Sequence, residues 1–130
     1  MNVVDSSGWL EYFAEEPNGN FFASAIENPQ TLIVPTISLY EVFKRVHSQR
    51  GADDALKIVA QMAQGKVIDL TQSLALQAAK MSMDYQLPMA DSVILATAQW
   101  YHATLWTQDE HFKNVPGVRY TPKPKPYTGR

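Results

Sequence analysis

Four carboxylates, Asp5, Glu41, Asp91 and Asp109, are the residues of this 130-residue chain whose types and places could do chemistry together. Cysteine is absent, which removes disulfides, thiolate metal sites, iron–sulfur clusters and cysteine nucleophiles at once. The three histidines, His47, His102 and His111, lack metal-ligand spacing, so the chemistry falls to oxygen. Four acids gathered at one place would repel and drive up one another's pKa unless a cation joined them. Oxygen ligands from separate elements favour Mg²⁺ or Mn²⁺ over zinc. Such an ion suits in-line displacement at a phosphodiester, because it lowers the pKa of the attacking water, and a second ion would steady the leaving oxygen.

The elements that must position these acids can be read from hydropathy. Asn2 to Val4 is a short apolar strand ended by Asp5-Ser6-Ser7, and Trp9, Leu10, Tyr12 and Phe13 follow at near-helical spacing. After Pro17-Asn18-Gly19, residues Phe21, Phe22, Ala25 and Ile26 mark a second helix. Thr31 to Val34 is a β-branched strand closed by Pro35. From Thr36 a helix carries Leu39, Val42, Phe43 and Val46 on one face and Lys44, Arg45, His47 and Arg50 on the other, with Ser38 and Glu41 spaced as a capping box. Gly51 ends it, and Ala55, Ile58, Val59 and Met62 outline the next helix. Lys66 to Leu70 reads as a strand and Thr71 opens a helix through Leu74, Ala78, Met81 and Tyr85. A link at 87–90 precedes a helix from Asp91 that is apolar on nearly every side and so should be sandwiched. Thr104 to Thr107 and Val118 to Tyr120 are the last strands, and strands separated by helices predict an α/β fold with a mainly parallel sheet.

In such a sheet, the loops after the strand carboxyl ends and the helix N-termini that follow them line one edge, where ligands bind. Asp5 directly follows the first strand, and Glu41 lies in the early turns of the helix after the second. The helix from Asp91 joins the strand at Thr104 by a short loop and must run antiparallel to it, which brings Asp91 and Asp109 to that same edge. For this to hold, either the helix from Thr71 lies crosswise or strand 66–70 is antiparallel.

Composition narrows the partners. Eleven Lys+Arg against thirteen Asp+Glu give a net charge of -2, so no bulk positive field announces a nucleic-acid binder and any such contact is local or metal-mediated. The N-terminus lacks the basic and apolar regions of a secretory signal, and the longest uncharged stretch falls short of a membrane span, so a cytoplasmic protein with no membrane contact is expected. Residues 121–130 alternate proline and lysine and should form an extended tail after a domain at 1–120.

Four fragments in order, Val-Val-Asp-Ser-Ser-Gly-Trp-Leu-Glu-Tyr-Phe at 3–13, Pro-Thr-Ile-Ser-Leu-Tyr-Glu-Val at 35–42, Leu-Pro-Met-Ala-Asp-Ser-Val-Ile-Leu-Ala-Thr-Ala at 87–98 and Leu-Trp-Thr-Gln-Asp-Glu-His-Phe at 105–112, with Val-Pro-Gly-Val at 115–118, give the chain a family likeness. It resembles the PIN-domain ribonucleases and, within them, the VapC-type toxins of toxin–antitoxin pairs, from Val3 to about Val118. The resemblance implies a three-layer sandwich and Mg²⁺- or Mn²⁺-dependent endonucleolytic cleavage of RNA. It places the family's acidic quartet on Asp5, Glu41, Asp91 and Asp109, with Asp5, Asp91 and Asp109 nearest the metal and Glu41 acting directly or through water. Ser6 and Thr107 match supporting hydroxyls. A homodimer and a cognate antitoxin filling the groove are also implied. Many relatives carry another acid two places after Asp109, where this chain has His111, and the Lys-Pro tail has no counterpart in the pattern.

Each acid also has an ordinary reading. Asp5 could cap a helix, Asp91 could answer a helix dipole, Glu41 could pair with Arg45 or Lys44, and Asp109 could serve a turn. Lys44, Arg45 and Arg50 are candidate phosphate contacts on a face that water alone could explain, and Lys123 and Lys125 in the tail are further ones. Trp9, Trp100 and Trp106 read as core. Phe21, Phe22 and Ile26 offer a surface for a second copy. A non-catalytic binding module docking a protein or RNA is the alternative function; a DNA nuclease or a housekeeping RNA-processing enzyme is a third.

Overall fold

Alternation along three short strands divides the interior in two. The computed structural model describes residues 1–124, and in it β1 (Asn2–Val4), β2 (Leu32–Pro35), β3 (Lys66–Ile68), β4 (Thr104–Thr107) and β5 (Val118–Tyr120) form one sheet in the order β3-β2-β1-β4-β5. Every pairing is parallel. Val3, Ile33 and Leu105 point to one face and Val4, Leu32, Val34 and Trp106 to the other, as the two-residue period of a strand requires.

Helices cover both faces, which makes the architecture a three-layer α/β sandwich. On the Val4 side lie α1 (Ser6–Phe13), α2 (Gly19–Ile26), α3 (Thr36–Arg50) and α4 (Ala52–Met62), contributing Trp9, Phe22, Val42, Val46, Ala55 and Met62 to that core. On the Val3 side lie α5 (Gln72–Tyr85) and α6 (Met89–Trp100). Val93 through Ala98 of α6 are all buried, as expected of a helix apolar on nearly every side. Among the described residues no helix is long and apolar enough to cross a membrane.

Because β3 is parallel to β2, the antiparallel alternative falls and α5 takes the crosswise path. Only residues 69–71 join β3 to α5, and only 86–88 join α5 to α6. A helix of this length spans about 21 Å. Both ends are tied by three residues to segments at the carboxyl edge, and between them the helix packs chiefly along α6. Gln86, in the left-handed region at φ 56°, closes it.

Several local expectations are corrected. β3 stops at Ile68, not Leu70, because its partner strand ends at Pro35, paired with Ile68, and no ladder remains beyond it. A 3-10 turn at Pro29–Thr31 takes Thr31 out of β2. α6 begins at Met89, two residues before Asp91, since Pro88 has the fixed φ of a helix start and its carbonyl accepts from Ser92 N at 3.0 Å. The capping box does not form: α3 starts directly after Pro35, and Ser38 lies inside it, fully buried with its hydroxyl unpartnered. Trp100 is 52% exposed at the end of α6, whereas Trp9 and Trp106 are core. Phe22 and Ile26 are buried and the half-buried Phe21 meets Phe22 edge-on and Trp106 at a tilt, so these three side chains pack inward. Of the tail, Thr121 to Pro124 have no regular structure, with Thr121 N bonded to Thr107 O and Pro122 O accepting from Asn18; residues 125–130 lie outside the described residues.

Candidate functional site

The carboxyl edge of the sheet opens into a cleft of about 260 Å³ lined by Asp5, Ser6, Ser7, Leu10, Glu41, Arg45, Asp91 and Asp109. Each acid arrives on a different element. Asp5 follows β1 and is the N-cap of α1, its Oδ1 accepting from Ser6 N at 2.8 Å. Capping uses only one of its oxygens. The other, Oδ2, accepts from Thr107 Oγ1 at 2.8 Å and Ser7 Oγ at 3.1 Å. Thr107, the last residue of β4, also accepts from Asp109 N at 2.9 Å, so one hydroxyl fixes two of the acids relative to each other.

Glu41 stands on the second turn of α3 and accepts from Ser6 Oγ at 2.7 Å. No ion pair between Glu41 and Arg45 or Lys44 forms among the described residues. Arg45 lines the cleft, whereas Lys44 lies over the Tyr40 ring, 5.7 Å from its centroid, along a neighbouring depression. Asp91 lies in the first turn of α6, where the helix dipole favours its charge. Asp109 caps the 3-10 turn Glu110–Phe112 by accepting from His111 N at 2.9 Å.

Electrostatics mark the cleft as short of positive charge. Burial pushes the Asp5 carboxyl up to about 6, repulsion from Asp109 adds to it, and the hydrogen bonds from Thr107, Ser7 and Ser6 pull against it. Asp91 is pushed up to about 7, first by burial and then by the charges of Asp5 and Asp109. A bound divalent cation would let both ionise. The donors fit one: Asp91, Asp109 and His111 each place a ligand atom within 4.8 Å of the other two, and the remaining donors at the edge are hard oxygens.

Reading the sequence alone passed over three residues. Ser7 extends the hydroxyl support of Asp5, a pattern legible in consecutive serines just after a strand-end Asp. Gln108 is buried between two site residues and accepts from Asn18 Nδ2 at 2.9 Å. His111, set aside for its spacing, has Nδ1 3.1 Å from both Asp91 Oδ2 and Asp109 Oδ1. An i, i+2 pairing with a capping Asp was the available signal.

The PIN domain family model matches residues 3–118. No curated protein matches the sequence. The fold superimposes with a TM-score of 0.78 on a toxin–antitoxin complex from Klebsiella pneumoniae, at 21% identity over 92% of this chain and 96% of that one. Mycobacterium tuberculosis VapC20, a sarcin–ricin loop cleaving toxin, gives 0.74 at 17% identity over 91% and 97% of the two chains. VapBC2 from Rickettsia felis, bound to a DNA fragment from its promoter, gives 0.71 at 16% identity over 93% and 97%. At these identities the likeness is one of fold.

Proposed function

Since the chain belongs to the PIN-domain family, we propose that it is a divalent-metal-dependent endoribonuclease, the VapC-type toxin of a toxin–antitoxin pair acting in the cytoplasm. The observation that carries this reading is the convergence of Asp5, Glu41, Asp91 and Asp109, from four elements, on one cleft in which Asp5 and Asp91 hold protons to about 6 and 7. Asp5, Asp91 and Asp109 would hold Mg²⁺ or Mn²⁺, with Glu41 acting directly or through water. The ion, when bound, supplies the charge that acidifies a water and draws in a phosphodiester oxygen. In the hydrolysis the water oxygen bonds to phosphorus and gives up a proton to solvent, the bond from phosphorus to the leaving ribose oxygen breaks, and that oxygen takes a proton from solvent.

The chain's own side chains organise the rest. Thr107 and Ser7 hold Asp5 in place against the cleft, and Ser6 fixes Glu41. Arg45, at the rim, is placed to meet a phosphate, and beyond it a groove of about 450 Å³ carries Arg50 and Lys123. We assign these three, with Lys44 farther along α3, to the RNA backbone. The PIN domain then occupies residues 1–120, with 121–130 as a Pro/Lys-rich appendage of which Lys123 and Pro124 line the groove. A cognate antitoxin and a second copy of this chain are the proposed protein partners, supported by likeness to a toxin solved in a toxin–antitoxin complex.

Incubation of the purified, antitoxin-free protein with labelled total RNA and tRNA, in Mg²⁺, Mn²⁺ or EDTA, tests the proposal. Cleavage that requires metal, and that Asp5→Asn and Asp91→Asn each reduce by more than about 100-fold, beyond what loss of an outer-sphere partner costs, is expected. No cleavage of any RNA, with a melting temperature that metal does not move, would leave the binding-module reading in its place.

A further inference from the structure

The turn after Asp109 does more than end a strand. Phe112 is fully buried and Val115 nearly so, and these anchors fix the turn that carries His111. Asp109 caps the turn, which fixes the backbone of His111 and sets its ring over the acids. The half-exposed imidazole places Nδ1 3.1 Å from Asp91 Oδ2 and 3.1 Å from Asp109 Oδ1. Donors on adjacent corners of an octahedron about 2.1 Å in radius stand about 3 Å apart. Both separations from Nδ1 match adjacent corners of such a site, and the three ligand atoms lie within 4.8 Å of one another.

Resting on the reading of the cleft as a metal centre, we propose that His111 Nδ1 is itself a ligand, so that the centre is a nitrogen–oxygen site preferring Mn²⁺ to Mg²⁺. An imidazole adds little for Mg²⁺, which is small, hard and reluctant to shed water. Mn²⁺ takes carboxylate oxygen and imidazole nitrogen alike, and affinity at such sites rises further toward Co²⁺. With the imidazole proton on Nε2, Nδ1, which lies within hydrogen-bond reach of Asp91, would offer its lone pair to an ion. Exposure of the ring means that no buried group moves to admit the ion.

Calorimetric titration with MnCl₂ and with MgCl₂, and pulsed electron paramagnetic resonance of the bound Mn²⁺, on the intact protein and on His111→Ala, His111→Asp and Asp91→Asn, test this. The intact protein is expected to bind Mn²⁺ at least about tenfold tighter than Mg²⁺ and to give the ¹⁴N coupling of a directly bound imidazole. His111→Ala should lose about tenfold or more in Mn²⁺ affinity, change little toward Mg²⁺, and lose the coupling. His111→Asp should keep Mg²⁺ binding while the preference for Mn²⁺ shrinks. Unchanged metal-free melting temperatures establish that the His111 variants fold. Bound Mn²⁺ without ¹⁴N coupling, or an unaltered Mn²⁺ to Mg²⁺ ratio in His111→Ala, would overturn the role of His111 while leaving the acid centre intact. Failure of either ion to bind the intact protein, so that it titrates like Asp91→Asn, would overturn both.

Discussion

Thr107 is the residue on which the cleft's geometry turns, because its hydroxyl donates to Asp5 and accepts from the backbone of Asp109. Thr107→Val keeps the shape and removes both bonds, leaving a buried carboxylate short of a donor. A loss of about 2 kcal/mol, seen as a fall of roughly 7 °C in melting temperature, is expected, together with weaker metal binding. The acids also set a pH dependence. Asp5 and Asp91 keep their protons in the folded chain to about 6 and 7, against 3.8 ordinarily. The folded state thus binds more protons between pH 4 and 7, and metal-free stability present at the low end is lost as pH rises. For Asp5 the loss is on the order of 3 kcal/mol. Thermal melts from pH 5 to 8 should fall steadily without metal and flatten in saturating Mn²⁺. The four acids could be picked out as candidates because each lies just after a strand or in the first two turns of a helix; that Thr107 reaches Asp5 and His111 reaches Asp91 depends on long-range geometry that spacing does not carry.

Elements deliver these side chains, and α1 does so through a close approach. A methyl group added at Gly8 would lie 2.6 Å from Phe22 Cε1 and 2.8 Å from Val4 Cγ1. Gly8→Ala must push α1 off β1 and α2, moving the helix that Asp5 caps. Denaturant unfolding should register a loss of about 1–3 kcal/mol, with weakened metal binding in the fraction that folds. β1, β4 and β5 were legible to the residue because turn residues bound each apolar run. The start of α6 was not, since Asp91 looks like a helix opener while Pro88, three residues earlier, already fixes the first turn. The capping box misled for a related reason: Ser38 is held inside α3 by packing, and Glu41 finds its partner on α1. Local motif rules cannot see a partner 35 residues away.

At the scale of the whole molecule, a net charge of -2 means that on the proposed reading RNA is held locally, by Arg45, Arg50 and Lys123 along a groove that Glu11 and Glu16 also line. Three phosphate contacts to single-stranded RNA predict a slope of about -2 in log affinity against log salt. Arg50→Glu with Lys123→Glu, measured in the Asp91→Asn background, should reduce that slope and weaken binding about tenfold or more. The α/β class and parallel sheet were legible because strands and helices alternate along the chain. The crosswise path of α5 was left open, since the sheet order that fixes it is a property of the assembled fold. On the proposed reading the acid cleft binds a divalent ion in order to cut RNA. Metal binding and RNA cleavage should therefore be followed in one titration of the purified protein with Mn²⁺. Half-saturation of both at the same ion concentration, with Asp91→Asn shifting both together, is the predicted result. Cleavage that persists in EDTA, or metal binding that saturates with no cleavage of any RNA, would contradict it.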